Sequence, residues 1–234
     1  IPDRQQRIEH ILHHQVFGIA ITELTSLLAR RSVYCSKDAS GKYSISKFPT
    51  ASGNILYKNI KHTWSNGKCK YCGAAQAVYD RGSEAEQYAY MFIHTDNPKQ
   101  FFPNMKFDVI VGNPPYQMSD GGAQASAKPL YHFFVEQAMK LNPKYLTMII
   151  PARWYTASIL QGDFTQRMLN DKSISKLVDY SNATDCFPSV EIKGGICYYL
   201  SDKKHNSECI IEVHHSNQVF KSTRFLKAEG IDAF

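Results

Sequence analysis

The residues best suited to chemistry are Asn113-Pro114-Pro115-Tyr116, which follow the apolar run Phe107-Asp108-Val109-Ile110-Val111-Gly112. The two prolines fix φ, remove two backbone donors and push Asn113 out of helical geometry. What they leave exposed is acceptors: the Asn113 side-chain oxygen and the Pro114 carbonyl, with the flat ring of Tyr116 beside them. Such a corner suits a planar molecule carrying an NH2 group. Two acceptors can take both N–H bonds of an exocyclic amine, which hinders conjugation of its lone pair and turns that pair toward an electrophile. If the ring is a nucleobase, stacking on Tyr116 contributes roughly 1–3 kcal/mol. A base inside a duplex cannot reach the corner, so a DNA substrate implies extrusion of the nucleotide. A bare Asn-Pro-Pro would read as an ordinary turn. The full tetrapeptide after an apolar strand headed by Asp108 points to the chemistry instead.

A second constellation is Cys69-Lys70-Tyr71-Cys72-Gly73, a knuckle-like turn whose two thiols could grip one tetrahedral ion, zinc by preference. Cys35 and His62 are the candidates to complete the site, with His94 ranked after them. The alternative is an unmetallated pair with Cys35 buried. Lys58, Lys61, Lys68, Lys70 and Trp64 surround the pair and suit a solvated face as well as a DNA contact. His10, His13 and His14 lie on a polar helix face and are not taken as ligands.

The elements that must position these residues alternate between strand and helix patterns. Apolar spacing predicts a helix over residues 4–14 facing inward with Ile8, Ile11 and Leu12, and a buried strand over 15–21. A second helix from Glu23 to about Tyr34 is capped by Thr22, with Leu24, Leu27 and Leu28 inward. Residues 36–82 are polar and glycine-punctuated. Further buried strands are expected at 90–96, 107–113, 145–150 and 177–180, with helices at 129–141 and 160–169. The small-residue stretch 120–126 reads as a loop, and 194–200 with 209–213 as a late antiparallel pair. The expected fold is α/β, a mostly parallel sheet covered on both faces. Residues 1–35 and 88–234 form its core, and 36–87 form a small inserted subdomain able to bind zinc.

Composition narrows the class. With 43% apolar and 21% charged residues among 234, the chain is neither disordered nor membrane-spanning; no apolar run approaches the roughly 18 residues of a span. The net charge of +6 is compatible with a polyanionic partner. Six cysteines without a secretory signal read as reduced thiols in a cytoplasmic protein.

Phe107 to Tyr116 resembles the catalytic motif of adenine-N6 DNA methyltransferases that use S-adenosylmethionine. Longer stretches resemble the restriction-modification methylase family typified by Eco57I: Phe17 to Thr25, Thr147 to Trp154 and Ile192 to Tyr199. The resemblance covers most of the chain. It implies a Rossmann-like methyltransferase fold, double-stranded DNA as substrate, and a restriction endonuclease domain or subunit as a potential partner. It implies that the Asp96 carboxylate holds the cofactor's adenine amino group, and that Gly18 belongs to the next cofactor segment. Ala20 or Thr22 stands where an acid would hold the ribose, so Glu23 is the nearest candidate. Phe134, with Tyr131 and Phe133, would line the cofactor or target pocket. Arg153 and Lys193 would contact phosphates, Trp154 would stack, and Gly194 would permit close backbone approach; a plain structural role is the alternative for Arg153 and Trp154.

The family's Gly-rich loop after the first strand has no counterpart before Gly18, and the chain begins without Met. The expectation is a fold incomplete at its N-terminus, whose isolated piece binds cofactor weakly or not at all. Alternatives are a non-catalytic DNA-binding or specificity module, or transfer to cytosine N4 or a protein glutamine amide.

Overall fold

The computed structural model describes residues 1, 3–80, 89–118, 128–156, 163–188, 192–216 and 218–227. It divides into two units, Ile1–Asp96 and Asn97–Phe234. The expected loop at 120–126 and the start of the helix expected at 160 lie outside the described residues.

In the first unit, the Asp3 carboxylate caps helix α1 (Arg4–His14) by accepting from the Gln6 N–H. Helix α2 (Glu23–Tyr34) begins at Thr22, which exchanges hydrogen bonds with Thr25 in a capping box. The intervening strand is shorter than expected. β1 (Gly18–Ile19) pairs in parallel with β2 (Ile55–Leu56).

The buried face of α2 is not the leucine face. Ser26, Arg30 and Tyr34 are buried, whereas Leu24 and Leu28 are 66% and 55% exposed. Polar anchoring explains the rotation. The Arg30 guanidinium donates to the Ile55 carbonyl (3.1 Å) and Ser52 Oγ (2.9 Å), and Tyr34 Oη accepts from the Asn54 N–H at 2.8 Å. Leu12 and Tyr34 pack with Ala39, Phe48 and Ile55 in one core, so residues 36–56 are continuous with α1 and α2 and the expected domain boundary at 35/36 is not observed. His13 stacks on Phe48 at 3.9 Å and hydrogen-bonds Ser46 Oγ, a packing role.

Beyond this core lie a tight hairpin, β3 (Trp64–Ser65) with β4 (Lys68–Cys69), and the short helix α3 (Gln76–Tyr79). Positive φ at both Asn66 and Gly67 is the signature of a two-residue type I′ turn. The strand expected at 90–96 is absent. The Tyr90 carbonyl instead accepts from the Ile93 and His94 N–H groups, closing turns that bury Met91, Phe92 and Ile93.

The second unit is built on a six-stranded sheet: β5 (Val109–Gly112), β6 (Tyr145–Pro151), β7 (Ile174–Tyr180), β8 (Ile196–Asp202), β9 (Cys209–His215) and β10 (Gln218–Arg224). Their spatial order is β10-β9-β7-β8-β6-β5. β5 and β6, and β7 and β9, are parallel. β8 runs antiparallel between β6 and β7, and β10 antiparallel to β9. The sheet is therefore mixed rather than mostly parallel, and the two late strands expected to pair with each other are separated by β7.

Helices α4 (Tyr131–Lys140), α5 (Arg153–Thr156) and α6 (Asp163–Asn170) accompany this sheet, and α4 packs on β6. Strand alternation places Leu146, Met148, Ile150, Cys197, Tyr199, Leu177 and Ile211 on one buried face. The other face is open at several positions. Val109 and Val111 of the edge strand β5, expected to be buried, are 52% and 75% exposed. Among the described residues no helix is long and apolar enough to cross a membrane.

Candidate active site and metal centre

β5 runs parallel to β6 and ends first, at Gly112 opposite Met148. Asn113 follows it exposed, Pro114 is buried, and Pro115 and Tyr116 are half-buried. The chain is then pinned. The Tyr116 carbonyl accepts from the Leu130 N–H (3.0 Å), and the Met118 N–H donates to the Lys128 carbonyl (2.9 Å). This strap leads into α4 and fixes Tyr116 from its backbone. The Tyr116 hydroxyl is itself buried, with no hydrogen-bond partner among the described residues. Burial, with lesser contributions from Cys197 and Cys186, pushes it up to about 12. It stays neutral, so Tyr116 offers its ring and not a base.

Arg153 leaves the same end of the sheet, after β6. Antiparallel β8 begins beside it, and the Ala152 N–H donates to the Gly195 carbonyl at 3.2 Å. Gly194 has φ +85°, and a Cβ there would stand 2.6 Å from Arg153 Cγ. The structure thus brings together Arg153 and Gly194, with Lys193 exposed next to them.

Trp154 does not join them. Its side chain is 0% exposed, and its indole N–H donates to Cys197 Sγ at 3.3 Å. The expected stacking role is corrected to a core role: a buried, hydrogen-bonded indole has no face left for a base. Phe134 is likewise buried within the second unit rather than lining an open pocket. Two residues after Arg153, the Tyr155 hydroxyl donates to the Asp179 carboxylate. Burial raises the Asp179 carboxyl above the ordinary carboxylate range and lifts the Cys197 thiol to about 12. Sequence reading missed this Trp154–Cys197 and Tyr155–Asp179 support. Its only signal was the apolar run around Arg153.

The remaining cofactor candidates lie in the first unit. Gly18 sits in β1, where a Cβ would meet Ile55 Cδ1 at 3.0 Å. Glu23 is exposed in the first turn of α2. Asp96 ends the turn segment, and its exposed carboxylate accepts from Lys70 Nζ (3.1 Å) and the Tyr71 hydroxyl (3.4 Å). That pairing holds the Lys70 ammonium above its usual range.

Lys70 and Tyr71 are the two residues between Cys69 and Cys72. The ligand atoms of His62, Cys69, Cys72 and His94 all lie within 4.8 Å of one another. His62 Nδ1 stands 3.5 Å from Cys72 Sγ and 3.2 Å from His94 Nε2. Cys35 is not among them. It is exposed at the end of α2 in a left-handed conformation (φ 61°), so the structure does not bring it to the group expected of it, and His94 stands there instead. His94 was legible by residue type, but an expected strand over 90–96 gave no reason to turn it back toward the knuckle.

A family model described as Eco57I restriction-modification methylase matches residues 14–187. A protein of Mycoplasma pneumoniae (strain ATCC 29342 / M129 / Subtype 1), described as an uncharacterized adenine-specific methylase, is 34% identical over 242 residues. The match covers 93% of this chain and 57% of that protein, so the chain spans little more than half of the curated relative's length. Among solved structures, the methyltransferase subunit of a type I restriction-modification system from Streptococcus thermophilus is similar with TM-score 0.37 at 12% identity. That likeness covers 93% of this chain and 48% of that one. The type IIG restriction endonuclease BpuSI is similar with TM-score 0.32 at 16% identity, over 45% of this chain and 15% of that one.

Proposed function

The chain belongs to the Eco57I restriction-modification methylase family, and from that premise we propose that it carries the catalytic corner of an enzyme that methylates adenine N6 in double-stranded DNA. The supporting observation is the corner itself. Asn113 stands exposed at the end of β5, followed by a buried Pro114 and a half-buried Tyr116 whose hydroxyl points inward. S-adenosylmethionine, when bound, supplies an electrophilic methyl group. Asp96 and Glu23 are the residues that would hold it, since both carboxylates are exposed and able to accept from amino and hydroxyl groups. Gly18 belongs to the same unit, whereas the buried Phe134 does not fit a direct contact.

The chain's own residues orient the target. The Asn113 side-chain oxygen and the Pro114 carbonyl each accept one N–H bond of the extruded adenine. The amine lone pair is thereby turned out of the ring plane and made available to an electrophile. Tyr116 stacks the ring. Transfer would form the N–C bond as the methyl–sulfur bond of the cofactor breaks and leaves its electron pair on sulfur, the extra proton of the methylated amine would pass to water, and no covalent enzyme intermediate is required. Arg153 and Lys193 contact phosphates of the flanking strand. In a restriction-modification setting, this modification protects the sites that an associated endonuclease domain or subunit would cut.

The test is methylation of defined duplex DNA by the whole protein, with base-resolved product analysis. N6-methyladenine as the product is expected. N4-methylcytosine, or methylation only of a protein glutamine, would refute the substrate assignment. DNA binding without transfer would support a specificity module instead.

A further inference from the structure

We propose that His62, Cys69, Cys72 and His94 bind one structural zinc ion, and that this site holds Asp96 in place. Four observations carry it. The first is distance. With Zn–S near 2.3 Å and Zn–N near 2.0–2.1 Å, a tetrahedron separates two nitrogens by about 3.3 Å and nitrogen from sulfur by about 3.6 Å. Two of the separations match, 3.2 Å for His62 Nδ1 to His94 Nε2 and 3.5 Å for His62 Nδ1 to Cys72 Sγ, and all four ligand atoms lie within 4.8 Å of one another.

The second is tautomer. His94 Nδ1 lies 2.8 Å from the Tyr90 carbonyl, to which it can only donate, so the Nε2 lone pair faces the other three ligands. A backbone acceptor on the far nitrogen is the usual outer support of a metal-bound histidine. The third is burial. His62, Cys69 and Cys72 are all buried, so an ion held between them would be shielded from water by its own ligands.

The fourth is the scaffold. The region is built from two-residue strands and a four-residue helix, too little regular structure to hold itself together. The type I′ turn at Asn66-Gly67 and the Gly73 N–H donated to the Cys69 carbonyl (3.0 Å) nonetheless aim both thiols at one point. A set of two thiolates and two imidazoles selects zinc among common ions. Binding energy there becomes folding energy.

The consequence for Asp96 rests on its proposed cofactor role. One ligand, His94, is two residues before Asp96, and the two residues between the cysteines, Lys70 and Tyr71, hold its carboxylate. Zinc therefore fastens Asp96 from both sides.

The experiment measures zinc in the whole protein purified under reducing conditions, and the absorption of its cobalt-substituted form. About one equivalent per chain and a thiolate-to-cobalt charge-transfer band of a tetrahedral site are expected. Cys72→Ser and His94→Ala should lose the metal, His94→Cys should retain it, and Cys35→Ser should be unaffected. Absence of zinc with no cobalt band, a Cys69–Cys72 disulfide in its place, or metal loss in Cys35→Ser but not His94→Ala would overturn the site. Cofactor affinity is read in parallel, and chelation should weaken it. Normal zinc binding with cofactor affinity insensitive to chelation would overturn the Asp96 link alone. Absent zinc with intact methylation would overturn the metal site and leave the methyltransferase assignment standing.

Discussion

Gly194 packs so closely on Arg153 that a single added Cβ would stand 2.6 Å from Arg153 Cγ. The contact joins the end of β6 to the start of β8, and it makes the glycine a determinant of where the arginine points. Gly194→Ala should displace a flexible side chain, costing about 1–2 kcal/mol for the left-handed backbone and weakening DNA binding. Gly195→Ala should be worse for folding, because its Cβ would meet the Tyr180 carbonyl oxygen at 2.4 Å and backbone cannot swing aside. Urea unfolding midpoints beside DNA titrations check the order.

Arg153 and Lys193 are exposed, whereas Trp154 is fully buried against Cys197. Replacing Arg153 or Lys193 with alanine should weaken DNA binding evenly across sequences. Each change should lower the slope of log affinity against log salt by about 0.9. Trp154→Ala should instead cost about 3–5 kcal/mol of stability. Fluorescence anisotropy over a salt series, paired with denaturant melts, separates the two behaviours.

Tyr116 is expected to act through its ring. Tyr116→Phe removes a buried hydroxyl that has no protein partner among the described residues, so stability should hold or rise by up to about 1 kcal/mol and activity should persist. Tyr116→Ala should lose roughly 1–3 kcal/mol of base stacking, or about 5- to 150-fold in the transfer rate. A large loss in the phenylalanine variant would assign the hydroxyl a chemical role.

Asp179 is a titration probe of the buried Tyr155–Asp179 pair. Burial raises its carboxyl in the folded state, so the folded protein binds the proton more tightly than the unfolded chain. Stability should therefore fall as pH rises from the ordinary aspartate range, about 3.9, through the raised value. Asp179→Asn, which still accepts from the Tyr155 hydroxyl, should be more stable than the natural protein near neutrality, and the two should converge in acid. Thermal melts across pH provide the comparison.

Much of this was legible in sequence where local chemistry decides structure. Thr22 caps α2, Pro151 closes β6, and Asn113-Pro114-Pro115-Tyr116 forms a strand-end corner. Legibility failed where tertiary partners decide. Leucine spacing suggested one buried face of α2, but Arg30 and Tyr34 found hydrogen bonds to Ser52, Asn54 and Ile55 on another. Residues 90–96 have a strand's composition, yet the Tyr90 carbonyl closes a turn and His94 joins the group of His62, Cys69 and Cys72. Cys35 fitted a metal site by type alone, and only the path of the chain shows it at the end of a helix with its side chain exposed. The relative direction of β7, β8 and β9 likewise depends on connections that periodicity does not encode.

The central claim concerns Asn113, and the most direct measurement is single-turnover methyl transfer by the whole protein and its Asn113→Ala variant. Cofactor and DNA affinities are determined on the same samples. The account predicts a fall in the transfer rate on the order of 10²–10³-fold, as when one preorganised polar contact to a reacting group is removed, with both affinities little changed. Transfer to adenine N6 at an undiminished rate in Asn113→Ala would contradict it.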